Sequence, residues 1–258
     1  MPRSARKKSA SGIYHAMVRG INRQGLFFDQ EDYQCYLDAI QRTKEDGRAE
    51  IYGYCLMDNH VHLLLQEKEE ELGNIMKRIG VTYAWWYNKK YDHYGHIFQD
   101  RYQSQPVEDN AYLLSVLRYI HNNPVKSRMV SVAEEYPWSS CKMYYGETYD
   151  TPSAVANTSF VLKLLDEHKE IARGKFKDYM RQENSDIFLD VVEKVRKSDD
   201  GLCQEIEALL GGRPVMMLKT MEKEQRDAVI RQIKQFTGVT QRQIARVLGI
   251  NQSIVFKA

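Results

Sequence analysis

Residues 52–66, YGYCLMDNHVHLLLQ, constrain the fold more than any other stretch, because two histidines lie one residue apart among strand-forming residues. Successive side chains of a β-strand point to opposite faces, so His60 and His62 share one face and the apolar residues between and after them take the other. The pair Asp58-Asn59 is typical of a tight turn, which predicts a hairpin whose second strand begins with the histidines. Two imidazoles on one face suit a metal ion, but the spacing equally fits two hydrogen-bonded histidines without an ion.

The segments around this hairpin alternate between strand and helix patterns. Residues 13–19 alternate and are rich in β-forming residues, which predicts a strand that ends at Gly20. Residues 29–46 have apolar residues at helical spacing, with Asp29 as the expected N-cap. The remaining patterns are a helix over 70–91, a strand over 96–107 and a helix over 111–123 capped by Asp109 or Asn110. This order predicts an α+β fold with a ferredoxin-like, split βαβ antiparallel sheet, helices packed on one face and one extra helix.

The last of these helices carries a tyrosine outside its apolar stripe. The predicted buried stripe runs from Leu113 to Ile120 at about 100° per residue. Tyr119 lies about 120° away from Leu113, so we expect it off the core face, as a surface aromatic residue. Asn123, one turn later, lies on the tyrosine's side of the helix, whereas His121 points nearly opposite.

The overall composition describes an ordinary soluble protein. A chain of 258 residues can build one sizeable core and a smaller domain. No apolar run approaches the roughly 20 residues that span a bilayer, and the basic N-terminus is not followed by the apolar segment of a secretory signal, so we expect no membrane contact and a cytoplasmic location. The four cysteines lack the short spacings of a zinc site and are expected to be buried thiols.

The sequence pattern of the C-terminal part predicts a separate helical unit. Residues 222–236 and 240–248 predict two helices, and Gly249 predicts the turn before a third helix that starts at Asn251. This helix-turn-helix pattern leaves three polar side chains free to face the major groove of duplex DNA: Gln252, Ser253 and Lys257. A trihelical protein-interaction bundle is the alternative. We therefore predict a catalytic domain over 1–150, a helical linker region over 151–200 and a helix-turn-helix DNA-binding domain over 201–258.

Five stretches together resemble a known family. They are YHAMVRGINRQGLFF, YGYCLMDNHVHLLLQ, GHIFQDRYQS, LRYIHNNPVKSRMV and EYPWSS, all within the first 146 residues. In their order and spacing they resemble the single-tyrosine HUH transposases, and particularly the REP-associated tyrosine transposases. This resemblance implies that His60 and His62 hold a divalent metal ion, Mg²⁺ or Mn²⁺, with Asn123 as third ligand, and that Tyr119 attacks single-stranded DNA.

The resemblance also implies how DNA is recognised. The family acts on foldback hairpins in single-stranded DNA, and five residues in the matching stretches are candidate DNA contacts: Arg19, Asn22, Arg23, Arg101 and Tyr102. The resemblance stops near Gly146, so the C-terminal unit is expected to target duplex DNA. The protein is expected to be a monomer or a homodimer.

Three functions remain open at this point. The first is a metal-dependent single-strand DNA endonuclease and strand transferase, transposase-like, that acts through a 5′-phosphotyrosine intermediate. The second is a DNA-binding regulator whose catalysis has lapsed. The third is a replication-initiator-type HUH nickase, against which the absence of a G-x-x-x-x-G-K-[ST] nucleotide-binding motif argues only weakly.

Overall fold

A computed structural model describes residues 6–146, 155–182, 188–189, 197–236 and 238–258. The chain forms two compact units, Met1–Leu189 and Asp190–Ala258. Among the described residues, no helix is long and apolar enough to cross a bilayer.

The first unit is built on a four-stranded antiparallel sheet with the order β2-β3-β1-β4. Its elements along the chain are β1 (Ile13–Arg19), α1 (Gln30–Glu45), β2 (Ala49–Met57), β3 (His60–Glu67), α2 (Leu72–Lys90), β4 (Gln103–Pro106), α3 (Asn110–Lys126), α4 (Cys141–Tyr145), α5 (Thr158–Lys163) and α6 (Lys169–Arg181). The first six elements have the order and pairing of the split βαβ arrangement, as the sequence predicts. Asp29 caps α1 through a capping box and Asp109 caps α3, so both predicted helix starts are confirmed.

The histidine hairpin forms where it is predicted. Strands β2 and β3 pair from Met57 and His60 outward, with Asp58-Asn59 as the turn between them. The apolar residues of β3 that alternate with the histidines are fully buried under α1 and α2: Val61, Leu63 and Leu65. The histidines therefore lie on the opposite face of the sheet.

Helices cover both faces of this sheet. Helices α1 and α2 lie over one face and enclose the first hydrophobic core. Helix α3 lies over the other face, where Leu113 and Leu117 pack with Leu64 and Cys55 in a second core. The extra helix therefore forms a third layer, on the face that carries the histidines.

Strand β4 is shorter than the predicted strand over 96–107. Only Gln103–Pro106 pairs continuously with β1. After Arg19 the chain of β1 turns through Ile21–Arg23. The residues before β4 therefore make only separate backbone bonds, one from Gln99 N to Arg19 O and one from Ile21 N of this loop to Ile97 O. The segment 96–102 is therefore an irregular edge of the sheet.

Helix α3 is buried on more sides than the sequence predicts. Tyr119 is only 3% exposed, so the expectation of a surface aromatic residue is wrong. The reason is that its ring packs against His15 and His62 of the sheet and against Phe188. On the other side of α3 lies an outer layer, in which Phe176 of α6 stacks on Tyr144 of α4. His121 points into this outer layer, whereas Tyr119 points at the sheet.

The same outer layer changes the interpretation of residues 151–200. Helices α5 and α6 bury Val161, Leu162, Ala172, Phe176 and Met180 in the second core. Their apolar faces close over α3 and β2, so residues 155–182 belong to the first unit instead of forming a linker. The compact unit ends at residue 189 and not near residue 150.

The second unit contains α7 (Asp199–Leu209), α8 (Lys223–Ile233), α9 (Gln241–Leu248) and α10 (Gln252–Lys257). Thr240 caps α9, Gly249 ends it in the left-handed conformation, and Asn251 caps α10, as the sequence predicts. The apolar residues of α9 and α10 share one core with those of α7 and α8. Arg246 of α9 makes two hydrogen bonds to the carboxylate of Asp199, which joins α9 to the start of α7.

The buried imidazole of His121 leads to a prediction about stability. Burial lowers its pKa from 6.5 to about 3, and its Nε2 lies 2.7 Å from Ser140 Oγ. The folded protein therefore binds no proton here between pH 6.5 and about 3, whereas the unfolded chain does, so stability falls as the pH drops through this window, by up to about 1.4 kcal/mol per pH unit. Urea unfolding at pH 7 and pH 5 should show a smaller loss for His121→Phe than for wild type. An equal loss in both proteins would contradict the assignment.

Candidate active site on the sheet face under helix α3

Three aromatic side chains meet between the sheet and α3. Strand β1 pairs with β3 so that Met17 lies opposite His62, and His15 is its diagonal neighbour on the same face. The ring centroids of His15 and His62 are 5.1 Å apart, and Tyr119 approaches both, at 6.0 Å from His15 and 5.8 Å from His62. His60 extends the group at 5.1 Å from His62. The structure thus brings both sequence-predicted histidines and the predicted tyrosine to one face.

Hydrogen bonds orient both histidines of the hairpin. His60 Nδ1 lies 2.7 Å from Asn59 Oδ1, in a bond that the imidazole donates to the amide oxygen. His62 Nδ1 lies 2.9 Å from His15 Nε2, and both of these rings are fully buried. Each ring therefore uses Nδ1 to fix its orientation, and Nε2 is the nitrogen with which it would hold an ion.

Tyr119 is covered by groups that the sequence analysis did not identify. Phe188 packs on its ring at a centroid distance of 4.9 Å and also contacts His15 and Tyr112. The ammonium of Lys126 lies 4.8 Å from the centre of the Tyr119 ring. A cation over the face of a tyrosine ring is attracted to the negative charge of that face. Lys126 is seven residues after Tyr119, which is about two helical turns. Helical periodicity alone therefore predicts that the two side chains lie on the same side of α3.

Asn123 lies one turn after Tyr119 and is buried. Its amide nitrogen donates a hydrogen bond of 3.2 Å to the carbonyl oxygen of Tyr119. This bond directs the amide nitrogen to the helix backbone and leaves the side-chain oxygen as the donor atom for an ion. Among the described residues, no three His, Cys, Asp or Glu side chains gather as a metal site. A site with His60 and His62 accordingly needs a ligand of another type, and an amide oxygen is one.

Three of the predicted DNA contacts lie beside the histidine hairpin. Arg19 pairs with His60 across the two central strands, and the loop after it holds Asn22 and Arg23 with positive φ angles of 50° and 62°. The loop is attached to the hairpin turn, because Asn59 donates its side-chain amide to Arg23 O at 3.3 Å. Gly20 is required here, since a Cβ would lie 2.2 Å from a backbone oxygen. The exposed side chains of Asn22 and Arg23 are thus held at the histidine end of β3.

The other two predicted contacts of this unit lie along the irregular edge. Arg101 is exposed, and Tyr102 is half-buried at the start of β4. Arg6, near the N-terminus, stacks its guanidinium 3.8 Å above the Tyr102 ring and donates a hydrogen bond of 2.8 Å to Tyr102 O. This edge is the neighbour of β1 on the side away from β3, so these residues are not part of the histidine-tyrosine group.

In the second unit, the three predicted contacts with duplex DNA share one short helix. Gln252, Ser253 and Lys257 are all exposed on α10. Ser253 donates its hydroxyl to Asn251 Oδ1 at 2.9 Å, so it also takes part in the cap. The side chains of Gln252 and Lys257 are left on the solvent side of the helix.

His15 is a further residue of the site that the sequence analysis missed. It lies in the first matching stretch, YHAMVRG, and strand alternation places it opposite to Tyr14. Alternation does not say which strand pairs with β1, and the contact with His62 depends on that pairing. The sequence pattern around His15 therefore did not indicate that it belongs to the site.

Comparison with known proteins agrees with this geometry. The profile of the family described as "Transposase IS200 like" matches residues 8–123. A Haemophilus influenzae protein, named as a candidate REP-associated tyrosine transposase, is 29% identical over 147 aligned positions that cover 47% of this chain and 82% of the relative. A solved structure of a REP-associated tyrosine transposase bound to a REP hairpin superposes with a TM-score of 0.50 and 20% identity, over 62% of this chain and 96% of that one.

The chain therefore contains an α+β domain that is similar to transposases. Residues 8–123 match the model of the IS200-like transposase family, and both relatives are named as REP-associated tyrosine transposases. The resemblance drawn from five sequence stretches is confirmed. This similarity supports a transposase-like, DNA-processing role.

Proposed function

We propose that the protein is a metal-dependent endonuclease and strand transferase that acts on hairpin-forming single-stranded DNA through a covalent bond to Tyr119. The observation that carries this proposal is the convergence of His62 and Tyr119, from different elements, at a ring distance of 5.8 Å on one sheet face. A structural pair of histidines needs no tyrosine beside it, whereas phosphodiester cleavage by a phenol needs the nucleophile next to the ion that holds the phosphate.

The residues present suit a divalent metal ion. On this proposal His60 and His62 hold it through Nε2, and Asn123 supplies its side-chain oxygen. Two imidazoles and one amide leave positions for a phosphate oxygen and water, as a catalytic site requires. When bound, Mg²⁺ or Mn²⁺ supplies the positive charge that stabilises a pentacoordinate phosphate.

The chain's own residues then exchange one phosphodiester bond for another. The Tyr119 oxygen loses its proton and attacks phosphorus, the bond from phosphorus to the 3′ oxygen breaks, and the products are a 5′-phosphotyrosine and a free 3′-OH. During this step Lys126 keeps a positive charge over the face of the tyrosine ring. Because one phosphodiester replaces another, a second 3′-OH can reverse the reaction and join a new strand without an energy source.

The positions of the basic residues support a nucleic-acid substrate. Arg19, Asn22 and Arg23 surround the end of β3 that begins with His60, where they are placed to contact the backbone next to the cleaved phosphate. The solved relative is bound to a REP hairpin, and we extend hairpin recognition to this chain. The exposed face of α10 is proposed to contact duplex DNA, since its polar side chains follow a capped helix and a glycine turn.

Loss of the Tyr119 hydroxyl should abolish covalent chemistry. A labelled single-stranded hairpin from the DNA flanking the gene, incubated with Mn²⁺ or Mg²⁺, should yield a labelled band of protein size on a denaturing gel. Tyr119→Phe should remove this band and retain hairpin affinity. Tyr112→Phe is the matched control, because Tyr112 lies on the same helix and also contacts Phe188. An adduct that persists in Tyr119→Phe would refute the nucleophile, and binding without an adduct in wild type would favour the regulator.

The His15–His62 hydrogen bond should determine metal affinity. Holding an ion through Nε2 requires the His62 proton on Nδ1, donated to His15 Nε2. His15→Leu removes this acceptor and should weaken Mn²⁺ binding, measured calorimetrically, by about 10- to 100-fold. His15→Gln, which puts an oxygen near the lost nitrogen, should recover part of the affinity, and His93→Leu, at a histidine that bonds to Asn88 instead, should bind Mn²⁺ as wild type does. Unchanged affinity in His15→Leu would show that His15 only fills space.

The face of α10 should affect duplex binding alone. The double variant Gln252→Ala, Lys257→Ala removes one groove-facing amide and one charge, and should lower duplex affinity by about tenfold, the scale of one lost base contact. Adduct formation on the single-stranded hairpin should be unchanged. Equal duplex affinity in the variant and wild type, measured by anisotropy at the same salt concentration, would remove the DNA-binding role and favour a protein-interaction bundle.

A further inference from the structure

A groove of about 600 Å³ lies between α2 and the irregular segment 96–102. It is on the face of the sheet opposite to Tyr119, because its lining includes Val18 and Met76 of the core under α2. The proposed chemistry does not use this groove.

The floor of the groove is apolar, and its α2 wall contains two glycines. Ile97 is fully buried at the bottom, and the half-buried ring of Phe98 forms part of the lining. Gly80 of α2 faces that ring, since a Cβ on Gly80 would lie 3.5 Å from Phe98 Cε2. Gly73, two turns earlier, faces the Tyr102 hydroxyl at 3.8 Å in the same way. Side chains at these two positions would fill the space, so the glycines keep the rings accessible to a flat ligand.

The rim of the groove is positively charged. Arg6, Lys77 and Arg101 line it, against Asp100 as the one acidic lining residue. Arg6 is held over the Tyr102 ring, and the side chains of Lys77 and Arg101 are exposed. An apolar slot with aromatic rings and a cationic rim matches a nucleotide, whose base is flat and apolar on its faces and whose phosphate is an anion.

The groove is close to the proposed site of cleavage along the sheet. Phe98 pairs with Gly20, the residue after Arg19, and Arg19 pairs with His60. Two strand spacings, about 10 Å, thus separate Phe98 from His60 across the sheet. Unpaired nucleotides that extend from the cleaved phosphate can therefore reach the groove.

We infer that this groove binds one unpaired nucleotide of the single-stranded DNA substrate, away from the cleaved bond. The base lies against Phe98 and the glycines of α2, and the phosphates on either side of it contact Lys77 and Arg101. The inference rests on the proposed action on single-stranded DNA and adds a base-binding subsite on the second face of the sheet.

An abasic scan tests the subsite in the full-length protein. In a series of hairpin oligonucleotides, each unpaired position next to the stem is replaced in turn by an abasic site, and affinity is measured by fluorescence anisotropy. With wild type, one position should lower affinity by about 5- to 100-fold, the range for one lost base–aromatic stack. In Gly80→Leu, the intact oligonucleotide should show that loss already, and the abasic site at that position should have no further effect.

The control is Gly174→Leu, because Gly174 also lies within a helix, α6, but has no atom within 4 Å of its Cβ position. This variant should bind every oligonucleotide as wild type does. If Gly80→Leu binds and responds to the scan as wild type does, the subsite is refuted.

A charge variant covers the case in which Gly80→Leu does not fold. Lys77→Gln, Arg101→Gln should lower the slope of log affinity against log salt by about 1.4, the value for two lost contacts with single-strand phosphates. Lys163→Gln, Lys169→Gln, two exposed residues of the outer helices, should leave the slope as in wild type. An unchanged slope in the first pair overturns the inference.

The abasic scan and the adduct assay test the subsite and the proposed chemistry independently. An adduct at Tyr119 together with a scan that Gly80→Leu does not alter would refute the subsite and leave the proposed function standing. A position-specific scan that depends on Gly80, without any adduct, would refute the chemistry and leave the subsite standing.

Discussion

The pairing of β1 with β3 at the centre of the sheet is the interaction on which the site depends. Seven consecutive residue pairs join these strands, from Ile13 with Gln66 to Arg19 with His60. Their register sets His15 diagonal to His62, and a shift by one residue would turn His15 to the other face of the sheet. The fully buried residues of β3 under α1 and α2 hold the register, because such a shift would expose an apolar row to the histidine face.

Helix α3 gains its chemistry from being enclosed between two layers. On one side, Tyr119 lies against the paired histidines of the sheet. On the other side, His121 bonds to Ser140 and packs against α4 and α6. Tyr119 and His121, two positions apart in the helix, thus have different environments and different roles. His121 remains neutral because burial lowers its pKa, which suits a structural hydrogen bond, while Tyr119 has a cation above its ring.

The local features of the fold were predictable because short-range physics determines them. The Asp58-Asn59 turn, the alternation of β3, and the caps Asp29 and Thr240 are all found as expected, since each depends on residues within a few positions along the chain. The strand over 96–107 was predicted too long, because its upstream half has the composition of a strand but no continuous partner once β1 ends at Arg19. The role of residues 158–181 was missed for a related reason, since their apolar residues fit either a linker helix or a covering layer.

The sequence by itself determined the resemblance to a transposase family, the hairpin that presents His60 and His62, and the helical spacing of Tyr119 and Asn123, because motif order and periodicity are properties of the chain. Only the tertiary structure decided that Tyr119 is buried, that His15 binds His62, that Phe188 and Lys126 contact the tyrosine, and that a glycine-lined groove lies on the second face. These contacts join residues far apart in the chain, and they depend on strand register and layer packing, which alternation and helical periodicity leave undetermined.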